Sequence, residues 1–206
     1  FHGEAVWSKC GNWSVHAVAE PVGTGKATAI TKFAVRSNGT TVVGELVDNA
    51  TSADGKHWRV LVNEVDLAGM PYTSDTISVS FEGANDTALV VDGEGNTVEA
   101  TFAPSLITLS TSPHEGCRGR CTGLTGNFNG NPADDLTLPN TLVIPPNASS
   151  AVIYRDFVMA YVVADPTQSL FPPSMGVVSN TSFVPASSPR TSSPVALNRA
   201  TATARA

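Results

Sequence analysis

No run of eighteen apolar residues occurs in this chain, so it contains no candidate for a membrane-spanning helix. The first residues, Phe1-His2-Gly3-Glu4, have none of the character of a secretory leader. Because strand-like sequence follows at once, the chain reads as a piece of something longer. It also lacks the motifs of common catalytic machinery: there is no Gly-x-Ser-x-Gly elbow, no His-Glu-x-x-His pair and no phosphate loop. With 4 histidines and a formal net charge of -6, it offers neither a cluster of acid/base groups nor the basic stripe that nucleic acid or an anionic membrane surface would need. From Pro166 onward there is no acidic residue at all.

What is present is β-sequence. Alternating Trp13, Val15, Ala17 and Ala19 predict a half-buried strand over about 12–20, ended by Pro21, Gly23 and Gly25. The segment 27–35 is rich in β-branched residues, and Ser37-Asn38-Gly39 turns it into Thr40–Leu46, a hairpin candidate. Further strands are expected at Trp58–Asn63, Val65–Leu67, Thr76–Phe81, Ala88–Val91, Thr97–Phe102 and Leu106–Leu109, separated by turns. Strands at this spacing without amphipathic helices predict a mainly β fold, an antiparallel sandwich or stacked sheets. One short helix is expected after residue 149, capped by Ser149 or Ser150 and carrying Val152, Ile153, Tyr154, Phe157 and Val158, before a strand at Tyr161–Val163. Residues 1–172 form the expected domain. Residues 173–206, rich in Ser, Thr, Pro and Ala, read as an extended tail held by its own domain or by a neighbouring copy, or as an O-glycosylated stalk.

Six Asn-X-Ser/Thr triplets, at Asn12, Asn38, Asn49, Asn85, Asn147 and Asn180, favour a secreted or cell-surface setting with N-glycans. The three cysteines fit it: one disulfide and one leftover thiol. Cys10 with Cys121 would tie the chain start to the region near 121, whereas Cys117 with Cys121 would close a small ring around Arg118-Gly119-Arg120. The ring is the expected role of that five-residue stretch, in preference to a redox or recognition loop. The leftover thiol is expected either buried or paired with another chain. Trp7, Trp13 and Trp58 are expected in the core rather than stacked on sugars.

The most specific stretch is Gly123-Leu124-Thr125-Gly126-Asn127-Phe128-Asn129-Gly130-Asn131-Pro132-Ala133-Asp134-Asp135. Asn127, Asn129 and Asn131 at alternate positions, followed by two carboxylates, can aim several oxygens at one point, as a hard cation such as calcium requires. An EF-hand is excluded, because Leu138 stands where the bidentate Glu would be and no helical pattern flanks the loop. The competing reading is a polar turn whose asparagines bond their own backbone.

This stretch resembles the GLCGNFNGNPxDD signature of von Willebrand factor type D domains. Trp58–Asn63 is similar to that family's VxVNG strand, and 151–171, ending in Ser169-Leu170-Phe171, is similar to the segment found in its transmembrane-mucin and sushi-domain branch. The resemblance covers about 1–172. Three departures stand out: Thr125 replaces the signature's Cys, with Cys121 as an upstream substitute; Glu64 replaces the Gly of VNG; and the opening GDPH and TFDG strand is not present. The resemblance implies a structural Ca2+ held by Asn127, Asn129, Asp134 and Asp135, with Asn131 contributing, most simply through its backbone carbonyl. It also implies a non-catalytic extracellular structural or adhesion glycoprotein, stabilised by calcium and assembling with copies of itself or with matrix and surface glycoproteins. The tail, able to add as a strand to a sheet edge, is the expected means of that assembly. The alternative is a calcium-dependent carbohydrate- or ligand-binding module. An enzyme would have to draw on His16, His57, His114, Asp48, Asp54, Asp66 or Glu115, which lie scattered among turns, so no catalytic residue is expected.

Overall fold

The computed structural model describes residues 2–22, 27–47, 56–82 and 86–177. Eleven strands follow one another: β1 (Gly3–Cys10), β2 (Trp13–Val22), β3 (Ala27–Ser37), β4 (Thr40–Leu46), β5 (Trp58–Val62), β6 (Val65–Asp66), β7 (Tyr72–Thr73), β8 (Ile77–Glu82), β9 (Thr87–Asp92), β10 (Thr97–Ala103) and β11 (Leu106–Ser112). They form two antiparallel sheets, a six-stranded one in the order β1 to β6 and a five-stranded one in the order β11-β10-β9-β8-β7. The fold is therefore the expected mainly β arrangement.

Each strand pairs with its sequence neighbour because the connecting turns are short. Asn38-Gly39, with φ values of 46° and 87°, joins the paired residues Ser37 and Thr40. Two consecutive left-handed residues give the twist that a two-residue hairpin needs.

The inner faces of the two sheets bury one apolar core that includes Trp13, Val15, Phe33, Val35, Val60, Ile77, Val90 and Phe102. Trp58 stacks on Phe102 at 4.8 Å and on Phe81 at 5.6 Å between ring centroids. Phe33 packs against Gly44 on the next strand; a Cβ at Gly44 would fall 2.1 Å from the ring. Trp13 and Trp58 are thus core residues as expected, and Trp7 packs half-buried against the same cluster.

A buried polar cluster fastens the two sheets at one end. Asp92 accepts from the backbone of Glu94 and Asn96, from the Asn96 side chain at 2.8 Å and from Ser37 Oγ at 3.2 Å. Asn96 in turn accepts from the His114 backbone at 2.7 Å. Each Asp92 carboxylate oxygen thus meets two donors, which offsets its burial.

The helical run after residue 149 begins as expected, with the Ser149 hydroxyl accepting from the Val152 N–H. It is α-helical at Ser150–Val152, widens to a π-turn at Ile153–Val158 and tightens to 3-10 at Met159–Tyr161. The expected strand at 161–163 is corrected: only a single bridge, Val162 to Ala5, forms there, because the helical run continues to Tyr161 and the 3-10 turn Pro166–Gln168 follows closely. Leu170 and Phe171 then cover Val18, Ala34 and Val43 on the outer face of the six-stranded sheet. Met175 and Val177 pack against the same cluster, and the tail beyond them lies outside the described residues.

Sheet edges are handled unequally. β6 and β7 are two residues long, and β1 is covered by backbone bonds from Thr122, Leu124, Thr125 and Val163. β11 spans seven residues without charge, proline or a register shift, and among the described residues it pairs only with β10. Long uncharged edges of this kind invite strand addition.

Candidate functional site: an acidic, asparagine-rich loop on the first strand

The loop is placed by the edge of β1. Lys9 and Thr122 exchange backbone hydrogen bonds of 2.8 and 2.9 Å, and Leu124 and Thr125 donate to Val6 and Trp7. This pairing sets Cys121 beside Cys10, and the two form the disulfide. The expected ring between Cys117 and Cys121 is therefore corrected. Cys117 ends a 3-10 turn, Glu115–Cys117, with its carbonyl accepting from the Arg120 N–H, and its thiol is free and buried. Thr125, where the type D signature has Cys, donates its hydroxyl to the Trp7 carbonyl at 3.0 Å.

From Asn127 onward the asparagines do what the turn reading anticipated. Asn127 Oδ1 accepts from Asn129 N, Asn129 Oδ1 from Asn131 N, and Asn131 Oδ1 from Ala133 N, at 3.0, 2.6 and 3.2 Å. Three successive Asx turns coil the backbone, with Phe128 between them at φ 57°. Each amide oxygen keeps a second lone pair after its turn bond. Asn131 is exposed at the outer bend, while Asn127 and Asn129 are half-buried.

The coil brings the two carboxylates back toward its start. Asn129 Nδ2 donates to Asp134 Oδ2 at 2.8 Å. Asp135 lies against Gly126, whose φ of 81° and missing side chain admit it; a Cβ there would fall 2.6 Å from Asp135 Oδ1. Burial pushes the Asp135 carboxyl above its ordinary value, the adjacent Asp134 charge adds to the rise, and the Asn127 backbone N–H opposes it. Asp134 Oδ1 is buried with no hydrogen-bond partner. A buried, unmatched carboxylate oxygen beside a second, destabilised carboxylate is an arrangement that a cation would complete.

The donor set suits a hard ion: two carboxylates, amide oxygens and backbone carbonyls fit calcium. It does not suit zinc or another soft metal, because the stretch 123–135 carries neither His nor Cys.

The other residues singled out from the sequence are dispersed. Asn12, Asn38 and Asn147 are exposed, while Asn49, Asn85 and Asn180 lie outside the described residues, as do Asp48 and Asp54. His16 is buried with Nδ1 2.5 Å from Glu4 Oε1, and His114 Nδ1 accepts from the Gly116 N–H. Glu4, fully buried, escaped the sequence reading because nothing local marks a lone Glu as internal. A 390 Å³ cavity lies elsewhere, between Val43 and Leu61 on one side and Leu170, Phe171 and Pro172 on the other.

The curated protein Mucin-4 of Mus musculus is 25% identical over 142 residues, which is 64% of this chain and 4% of that much longer protein. The family description "von Willebrand factor type D domain" matches residues 8–142, more than half of the chain and inclusive of the whole loop. The chain belongs to the von Willebrand factor type D domain family.

Proposed function

We propose that this chain is a calcium-stabilised, non-catalytic structural or adhesive module of an extracellular glycoprotein. Family membership and the mucin relative support the coarse reading, an extracellular adhesion or structural module. The observation that carries the calcium reading is the buried, unpartnered Asp134 Oδ1 beside Asp135. Asp134 and Asp135 would supply the charge, and Asn127, Asn129 and Asn131 neutral oxygens from side chain or backbone. The ion would neutralise two adjacent carboxylates and brace a loop paired to β1. Calcium should raise the melting temperature, and Asp134→Ala with Asp135→Ala should abolish that increment. Identical melting curves with calcium and with chelator would refute the site.

Assembly with copies of itself or with matrix glycoproteins through the tail is the second part of the proposal. Its support is the uncharged, seven-residue edge of β11, which an extended Thr/Ser/Val segment can join by main-chain hydrogen bonds. Truncation before Gly176 should leave the domain folded and weaken assembly in sedimentation experiments; unchanged assembly would rule out the tail. Catalysis gains no support from the described histidines that are already engaged: His16 is bonded to Glu4, and His114 caps a turn.

A further inference from the structure

Two of the six sequons meet in space. The Gly11-Asn12 turn joins the paired residues Cys10 and Trp13, and the Asn38-Gly39 turn joins Ser37 and Thr40. Since β2 pairs with β3 through Ser14 and Arg36, both turns lie at the same end of the six-stranded sheet. There Asn12 Nδ2 donates to Asn38 Oδ1 at 3.3 Å, and both residues are exposed. Asn12-Trp13-Ser14 and Asn38-Gly39-Thr40 are 26 positions apart in the chain, so nothing in the sequence announces the contact.

We infer that Asn12 and Asn38 form one paired N-glycosylation site, whose two oligosaccharides shield each other and stay in mannose-rich form. The inference rests on the extracellular reading above. In the transfer, the asparagine amide nitrogen bonds to the anomeric carbon of a lipid-diphosphate oligosaccharide, a proton leaves the nitrogen and the lipid diphosphate departs. The modified amide keeps its carbonyl oxygen and one N–H, so both groups of the Asn12–Asn38 contact survive modification. Two branched sugars then rise from amides in hydrogen-bond contact. The trimming glycosidases of the secretory pathway must reach the outer mannoses of each, and the neighbouring sugar occupies much of that approach. The consequence for the module is a glycan-covered end, which leaves its other faces for protein contacts.

Asn147, exposed in the segment before Ser149 and not part of the Asn12–Asn38 contact, serves as the internal control. The test is secretion of the full chain, with a leader fused ahead of Phe1, from animal cells. Site-specific glycopeptide mass spectrometry and endoglycosidase H digestion then read each position. The expected result is sugar on Asn12 and Asn38, both endoglycosidase-sensitive, with processed sugar on Asn147. In Asn12→Gln the Asn38 sugar should lose its sensitivity. In Asn38→Asp, chosen because Asp tolerates the left-handed turn position, the Asn12 sugar should do so. The pairing is overturned if either asparagine is bare while Asn147 is modified, if both sugars are processed in the parent chain, or if the single variants leave the remaining sugar mannose-rich. Absence of sugar from all three would instead overturn the extracellular reading, and the pairing with it.

Discussion

Ser169 Oγ donates a 2.6 Å hydrogen bond to Glu4 Oε2, joining residues 165 positions apart at the base of the C-terminal segment. The Leu170 N–H and His16 Nδ1 meet the other oxygen of the same carboxylate, at 3.1 and 2.5 Å. The fully buried Glu4 is thus the peg on which Leu170 and Phe171 are hung over the outer sheet face.

Glu4→Ala removes the partner of three groups at once. Each buried polar group left unmatched costs about 1–3 kcal/mol, so the variant should lose roughly 3 kcal/mol or more. Ser169→Ala deletes one hydrogen bond and should lose about 1 kcal/mol. Urea unfolding of the two variants checks this; equal losses would mean that Glu4 does not organise the segment.

The Cys10–Cys121 disulfide closes a sequence separation of 111 residues. On the chain-entropy account, opening a loop of that size costs about 4–5 kcal/mol. Cys10→Ser and Cys121→Ser should therefore be similarly and severely destabilised. Cys117→Ser places a hydroxyl in a largely apolar pocket and should cost only about 1 kcal/mol. A non-reducing peptide map with Cys117 in the bridge would contradict the pairing.

Asp135→Asn should act oppositely on the melting temperature in chelator and on the increment that calcium adds. In chelator, the substitution removes a carboxylate that burial and Asp134 both disfavour, so it should raise the melting temperature. In calcium it removes charge from the proposed donor set, so the calcium-dependent increment should shrink. Differential scanning fluorimetry in the two buffers reads both effects, and a calcium increment as large as the parent chain's would argue against a cation at this loop.

Gly126→Ala tests the packing of the loop itself. The left-handed backbone and the 2.6 Å approach to Asp135 Oδ1 leave no room for a methyl group. A loss of about 1–2 kcal/mol is expected in thermal or urea unfolding. A neutral effect would show that the loop reshapes freely around residue 126.

Most of the strands were legible because their outer and inner faces alternate, as in β10 and β11, where every second residue is buried. β1 was not. It carries a buried Glu4 where a polar residue would be expected outside, and a register shift between Val6 and Ser8 breaks its period of two. The two-residue β7 is too short to show any period. In the loop, the turn reading of the asparagines holds, since their side chains bond the local backbone, and Asp134 Oδ1 is left without a partner.

The sequence by itself determined the β class, the hairpin turn at Asn38-Gly39 and the family, because alternation, a left-handed Asn-Gly step and the 123–135 signature are local and need no partner to be seen. Only the tertiary structure decided that Cys121 takes Cys10 rather than Cys117, that Glu4 holds Ser169, that Asp92 fastens one sheet to the other, and that Asn12 touches Asn38. Nearly all these contacts join residues tens to more than a hundred positions apart. Which groups meet at such separations is set by strand register and sheet packing, and no short stretch of chain encodes either one alone.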